Sequence, residues 1–272
     1  MRLVSLCPSL TELVFDLGRG DDLVGRTRFC VHPAGRVERV ESVGGTKNPK
    51  IARIVELAPD LVLLNEEENR REDAEALAAA GVRCHLSFPR DVGETAQMVR
   101  DVGAVLERPA AAERIAADIE RRAARVREGA RRAPAVRYAY LIWRNPWMVA
   151  GGDTFVAAML ALPGGVNVFG DRPERYPTVT PEELAAADPD VVLLSSEPFP
   201  FKEKHAAELA AATGLPRERM QFVDGEYLSW HGSRTPDGID YAERVIVAAR
   251  GRTPAEAPPG LQARNSQPAA GS

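Results

Sequence analysis

The chain has 272 residues, 44% of them hydrophobic and 27% charged, with a formal net charge of −4. That length suits one large or two modest domains, and the apolar share is enough to fill real cores. The acidic balance leaves no basic footprint for nucleic acid, and no apolar run approaches the roughly 18 residues of a membrane span.

The predicted elements alternate from the start. Leu3–Leu6 reads as a strand, and Ser9-Leu10-Thr11-Glu12 as a capping box opening a helix that Gly18 ends. Asp22–Gly25 reads as a second strand, and Arg26–Lys47 as a long loop carrying Phe29, His32 and Pro33. Asn48-Pro49 opens a helix through Leu57, and Leu61–Leu64 is a buried strand. Asn65–Arg71 is a polar loop whose Glu66-Glu67-Glu68 run reads as solvated, leading into a helix closed by Gly81. Val82–Leu86 gives a strand and Asp91–Leu106 a helix. This alternation predicts a parallel sheet covered on both faces.

Pro109–Arg132 reads as a single long helix, with proline in its first turn and Ala, Arg and Glu dominating. Ile115, Ile119, Ala123 and Val126 form a narrow apolar stripe. A helix with so little to bury lies on a surface or bridges two bodies. At 1.5 Å per residue it spans roughly 36 Å.

Beyond it, Val136–Trp143 and Trp147–Ala150 read as strands, and Asp153 caps a helix through Leu162. Thr180-Pro181-Glu182-Glu183 is a capping box, and Val191–Leu194 a buried strand. His205–Ala212 is helical, Met220–Val223 is the last strand, and Thr235-Pro236 opens a helix to about Arg250. The Pro-, Ala- and Gly-rich segment from Thr253 reads as disordered. Arg53–Glu67 and Glu182–Glu197 share one phrase: helix, Pro-Asp, apolar strand, polar loop with Glu. The repetition points to two related lobes, residues 1–108 and 133–252, joined by the helix at 109–132, with a tail at 253–272.

Ligands of open parallel sheets sit outside the carboxyl ends of the strands. In the second half those loops carry Trp143, Trp147, Tyr176, Phe199, Phe201, Tyr227 and Trp230, including all three tryptophans. Such clustering favours a broad, partly apolar ligand, or rings folded inward to seal the sheet. Catalytic motifs are missing. There is no GxGxxG after a strand, no P-loop spacing around Gly44–Lys47, no GxSxG and no HExxH. Among the isolated histidines, His85 reads as structural and His205 as solvated. His231, beside Trp230, and His32 are the ones placed to touch a metal centre. Arg28, Arg144 and Arg234 are available for polar side chains or phosphate.

The segments Val4–Gly18, Leu23–Pro33 and Ile51–Leu64, with PWMVAGGDTF, YPTVTPEEL and DPDVVLL further on, resemble the substrate-binding proteins of vitamin B12, iron-siderophore and haem ABC importers. The vitamin B12-binding type is the nearest likeness, over about residues 2–250. The resemblance implies a type III periplasmic-binding-protein fold (a helical-backbone metal receptor), with two Rossmann-like α/β lobes on one rigid helix. It implies no enzyme activity, no intrinsic cofactor, and a monomer that holds one metal chelate between lobes that close only slightly. By this likeness Phe29 falls where the B12 type has a contacting tyrosine and Tyr176 where it has a tryptophan. Trp147 and Trp230 fall in cleft loops, and Thr46 replaces a stacking tryptophan. Phe29, His32, Trp147, Tyr176, Phe199, Tyr227, Trp230, His231 and Arg234 are the expected ligand contacts. Glu182 is the expected permease contact of the second lobe, whereas the first lobe carries Ala52, beside Arg53, at the matching place.

Two readings follow. One is the binding component of an importer with permease and ATPase, carrying cobalamin, another corrinoid, a ferric siderophore or haem. The other is a carrier or sensor of the same ligands without a permease. The chain opens directly on its first strand with no leader pattern, and Cys7, Cys30 and Cys84 are scattered. Both features point to the cytoplasm, whereas the family implies the periplasm or cell surface. A two-lobed enzyme acting on a sugar or nucleotide is the remaining alternative.

Overall fold

The structure, a computed structural model, describes residues 1–251. The expected tail at 253–272 lies outside the described residues. In the first lobe, β1 (Leu3–Ser5), α1 (Pro8–Asp16), β2 (Leu23–Arg26), α2 (Ile51–Glu56), β3 (Leu61–Asn65), α3 (Arg71–Ala79), β4 (Cys84–Ser87) and α4 (Val92–Val105) follow in order. The strands pair in parallel as β2-β1-β3-β4. Both faces of β3 are buried, as expected of a central parallel strand.

Then comes α5 (Pro109–Ala130). The second lobe holds β5 (Val136–Trp143), β6 (Met148–Val149), α6 (Phe155–Ala161), β7 (Gly165–Asn167), α7 (Pro181–Ala187), β8 (Val191–Ser195), α8 (Glu203–Thr213), β9 (Met220–Val223), α9 (Gly225–Ser229) and α10 (Thr235–Arg250). Its sheet runs β5-β8-β9 in parallel. Along its other edge β5 carries β7 in parallel and then the short antiparallel β6.

The repeated Pro-Asp phrase does the same work in each lobe. Asp60 accepts from the backbone N–H of Arg2 at 2.6 Å, and Asp190 from that of Arg137 at 2.8 Å. The Arg2 guanidinium donates to the carbonyl of Leu57, and that of Arg137 to the carbonyl of Ala187. Ala58 and Asp188 both turn the chain at positive φ, 45° and 40°. Each phrase therefore fixes the start of the neighbouring strand and keeps the sheet in register.

Helix α5 buries more than its sequence suggests. Ala112, Ala116, Ile119, Ala123 and Val126 are buried. They join one core with Leu3, Leu10 and Val99 of the first lobe and Phe155, Met159 and Ile239 of the second. The helix approaches α4 closely, because a Cβ on Gly103 would lie 2.1 Å from that of Ala112. Charged residues staple its flanks. Arg100 of α4 pairs with Glu113 and Glu120, while Arg122 and Arg125 pair with Asp237, Asp240 and Glu243 of α10. One packed spine thus carries both lobes.

Four local expectations are corrected. The first helix starts at Pro8, with Cys7 at the N-cap position and no side-chain cap, so Ser9 and Glu12 form no capping box. Helix α2 starts at Ile51 after Lys50, rather than at Pro49. Thr154, not Asp153, caps α6 and accepts from Ala157 N. His205 is buried rather than solvated. Its Nδ1 accepts from Lys202 N at 3.0 Å, and its ring meets Phe199 and Phe201. The capping box at Thr180 and Glu183 and the opening of α10 at Thr235 stand as read.

Candidate functional site

The loops leaving the carboxyl ends of the strands meet between the lobes. From the first lobe come the turn into α1, the loop after β2 and the loop after β3. From the second come the loop before α7, the loop after β8, and α9 with the turn into α10.

Four side-chain bridges cross this seam. Glu67 accepts from the Tyr176 phenol and from Arg175 Nη2 at 3.0 Å, and the Arg175 guanidinium lies over the Phe88 ring. His32 Nε2 lies 2.9 Å from Glu226. Arg234 clamps Glu12 with two hydrogen bonds of 2.7 and 2.9 Å, and also reaches Glu226 at 3.3 Å. His231 Nε2 lies 3.3 Å from Asn65 Nδ2 and 3.4 Å from Ser9 Oγ. Recesses of about 380 Å³ beside Asp16 and Arg114, and about 440 Å³ beside His85 and Gln97, flank this seam, the first reaching Ser233 next to Arg234 and the second Phe88 under Arg175.

Electrostatics follow from burial. His231 is buried, and desolvation pulls its imidazole down to about 4, so it is neutral near pH 7. The Asn65 amide donates, so Nε2 accepts and the proton sits on Nδ1. A neutral ring held this way is a pin between lobes. Burial raises the Tyr176 phenol, and the Glu67 carboxylate beside it raises it further. Burial also pushes the Cys7 thiol up to about 12, which leaves it unreactive.

The aromatic residues divide into two groups. Trp230 belongs to the seam. His32 meets it edge-on at 5.5 Å, Arg234 stacks over it at 5.1 Å, and its indole N–H donates to Glu197 at 2.8 Å. Tyr227 lies under the same guanidinium and stacks on Tyr241. Phe29 is 48% exposed, with Arg28 above its ring. Trp143, Trp147, Phe199 and Phe201 form the second group around His205. Trp147 and Phe199 pack against the second lobe's core, with Phe201 inside it, while Trp143 stays exposed. Thr46, at the missing stacking position, is buried, and its carbonyl accepts from Asn69.

Sequence reasoning passed over the acidic residues of the seam. Glu67 and Glu68 sit in the run read as solvated, and Glu12 in the apparent capping box. Glu197, like Glu67, closes the repeated phrase of its lobe but was given no role there, and Glu226 carries no local motif. Their signal was position alone, at the carboxyl ends of strands. Among the described residues no group of three His, Cys, Asp or Glu could hold a metal ion. No described helix is long and apolar enough to cross a membrane. On the lobe tips, Glu182 is exposed in the first turn of α7, where backbone N–H and Thr180 hold its carboxyl below the usual range. Ala52 is exposed in α2, beside an Arg53 clamped by Glu41 and Glu56.

Comparison with known proteins agrees with this architecture. The chain is 27% identical over 197 residues to a vitamin B12-binding protein of Photorhabdus laumondii, covering 72% of this chain and 70% of that one. It is 23% identical over 239 residues to a vitamin B12-binding protein of Vibrio cholerae, covering 88% and 86%. Among solved structures, the periplasmic vitamin B12-binding protein of Vibrio cholerae superposes with a TM-score of 0.80 at 23% identity, over 92% of this chain and 97% of that one. The apo periplasmic haem-binding protein of Roseiflexus sp. RS-1 superposes with a TM-score of 0.80 at 28% identity, over 92% and 98%. The periplasmic binding protein family model matches residues 3–232, spanning both lobes and the helix between them, and the chain belongs to that family.

Proposed function

We propose that this chain is the substrate-binding component of an ABC importer and holds cobalamin, or a related corrinoid or metal chelate, between its lobes. The observation that carries the reading is the seam itself. Strand-end loops of both sheets converge there around Trp230, His32 and Tyr227, on a fold shared with vitamin B12-binding and haem-binding proteins. Phe29, Tyr176, Tyr227 and Trp230 supply the flat faces a tetrapyrrole needs, and His32 and Arg234 supply polar contacts. Trp147 and Phe199 reach the guest from the lip of the second lobe, and His231 supports it from below. Admitting the guest requires Glu67 to release Tyr176 and Arg175. Glu182 is the second lobe's contact with the permease. The functional units are the lobes at 1–108 and 133–252 and the helix at 109–132. Cyanocobalamin added to the purified protein raises its Tm and quenches tryptophan fluorescence. The reading falls if neither responds to corrinoids, haem or ferric siderophores.

One observation favours a second reading, a carrier or sensor without a permease. Where an acidic contact is expected on the first lobe, Ala52 stands beside an already paired Arg53. Corrinoid uptake by cells separates the two. Deleting the gene abolishes uptake in the first reading and leaves it intact in the second.

A further inference from the structure

We infer that Glu68 and Glu197, one from each lobe, select guests whose rim donates hydrogen bonds, as primary amides do, over guests whose rim carries carboxylates. The inference rests on the corrinoid reading above and deepens it.

Charges of both signs meet at the seam, and the arginines that bridge the lobes are engaged. Arg234 pairs with Glu12 and Glu226, and Arg175 with Glu67 and Asp153. His32 faces Glu226, and Lys47 Nζ donates to the carbonyl of Glu67 at 2.6 Å. Arg28 is exposed and lies over Phe29. Arg234 and Arg175 each already have carboxylates to neutralise, and neither is available to an anionic guest without breaking a bridge between the lobes. Lys47 and Arg28, which pair with no carboxylate among the described residues, sit exposed on the first lobe.

One half-buried glutamate from each lobe has no ion-pair partner among the described residues. Glu68 follows β3, and among the described residues no hydrogen bond or ion pair engages its carboxylate; only the Lys47 charge at longer range favours its ionised form. Glu197 follows β8, and its Oε1 accepts from Trp230 Nε1 and Ser229 Oγ, each at 2.8 Å. Those two donors fix the carboxylate against the indole and leave Oε2 without a partner among the described residues. The charges of Glu68 and Glu226 both reach Glu197. Burial and like charge raise both glutamates above their ordinary value, as expected of carboxylates that lack a partner.

A guest entering here strips water from these oxygens. A side-chain amide N–H restores the lost hydrogen bond as a charge-assisted one. A guest carboxylate instead adds a third like charge in a desolvated site, and like-charge juxtaposition at an interface costs affinity steeply. The discrimination therefore acts on the rim of the macrocycle, whereas the rings act on its faces.

The test compares one macrocycle with two rims, and beside it haemin, a second macrocycle whose rim carries carboxylates. Affinities are measured by tryptophan fluorescence for cyanocobalamin, for the monocarboxylic acids made by hydrolysing single side-chain amides, and for haemin. The proteins are the wild type, E68Q, E197Q and the double variant, with melting curves recorded for each. The wild type binds cyanocobalamin tighter than at least one monocarboxylic acid by about tenfold or more, and tighter than haemin. In the double variant the amide-to-carboxylate ratio falls towards unity, because glutamine can donate to a carboxylate. The inference is overturned if all the acids bind the wild type as tightly as cyanocobalamin, if haemin binds more tightly, or if the ratio survives both substitutions. If none of the three guests binds the wild type, the corrinoid reading itself fails and takes this inference with it.

Discussion

Glu67 receives the Tyr176 phenol across the seam, 109 residues away in sequence, and the same oxygen takes Arg175 Nη2 at 3.0 Å. Glu67 and Arg175 are less than one-third exposed and Tyr176 is half-buried, so their coupling survives solvent screening better than a surface pair. Y176F removes a donor to a charged acceptor and lowers unfolding free energy by about 1.5–3 kcal/mol. E67Q weakens the same contact. The double variant loses less than the sum, with a coupling of about 0.5–3 kcal/mol in urea unfolding. Strict additivity would show that the contact is not formed in solution.

Glu68 and Glu197 act in the opposite sense. Both are raised above the ordinary 4.5 chiefly by burial. A folded state that holds a proton more tightly than the unfolded chain is favoured at low pH. That stability is complete below the unfolded value and is lost as pH rises through the folded one. At neutral pH each ionised glutamate therefore costs stability. E68Q and E197Q raise the Tm at pH 7, and the gain shrinks towards pH 4. A gain that stays constant with pH, or a loss at pH 7, contradicts the assignment.

The parts of this protein legible from its sequence are those fixed within a few residues. The Pro-Asp phrases announce the repeat because Asp60 and Asp190 bond to the strand start beside them, and the chain leaves the preceding helices through positive φ at Ala58 and Asp188. The Thr180 capping box is equally local. The Ser9 box fails because Pro8 already occupies the first helical turn. That frees the Ser9 hydroxyl to face Cys7 and His231, and Glu12 to receive Arg234. In the acidic run at 66–68, Glu66 is exposed as read, whereas Glu67 departs from that reading because the groups that bridge it arrive from more than 100 residues away. His205 sits among Ala, Lys and Glu in sequence, yet its burial comes from Phe199 and Phe201 in the preceding loop. The seam is built almost wholly from such distant pairs, and periodicity carries no trace of them.

His231 gives a pH dependence of its own. Burial lowers it from 6.5 to about 4. A base with a depressed folded value stabilises the protein above the unfolded value, and the contribution is lost as pH falls from 6.5 through about 4. The size is roughly 3 kcal/mol, at about 1.4 kcal/mol for each pH decade of separation. H231N keeps an acceptor facing Asn65 and Ser9 but cannot charge, so its stability falls less steeply over that window. Glu68 and Glu197 pull the other way there, so the comparison is made in the E68Q/E197Q background by denaturant unfolding at pH 4.5–7. Parallel curves for the two proteins would remove His231 as the titrating pin.

The close approach of α4 and α5 supplies the last test. A methyl at Gly103 would overlap Ala112, and both lie against a core that runs from Leu3 in the first lobe to Ile239 in the second. G103A forces the helices apart and costs about 1–3 kcal/mol through overpacking, more than the gain from replacing a helical glycine. The compensating pair G103A/A112G returns the lost volume and recovers part of that stability. Because the spine is shared, the loss appears as one lowered transition in which both lobes melt together. Two separated transitions, with only the first lobe affected, would show that α5 does not hold the lobes as one body.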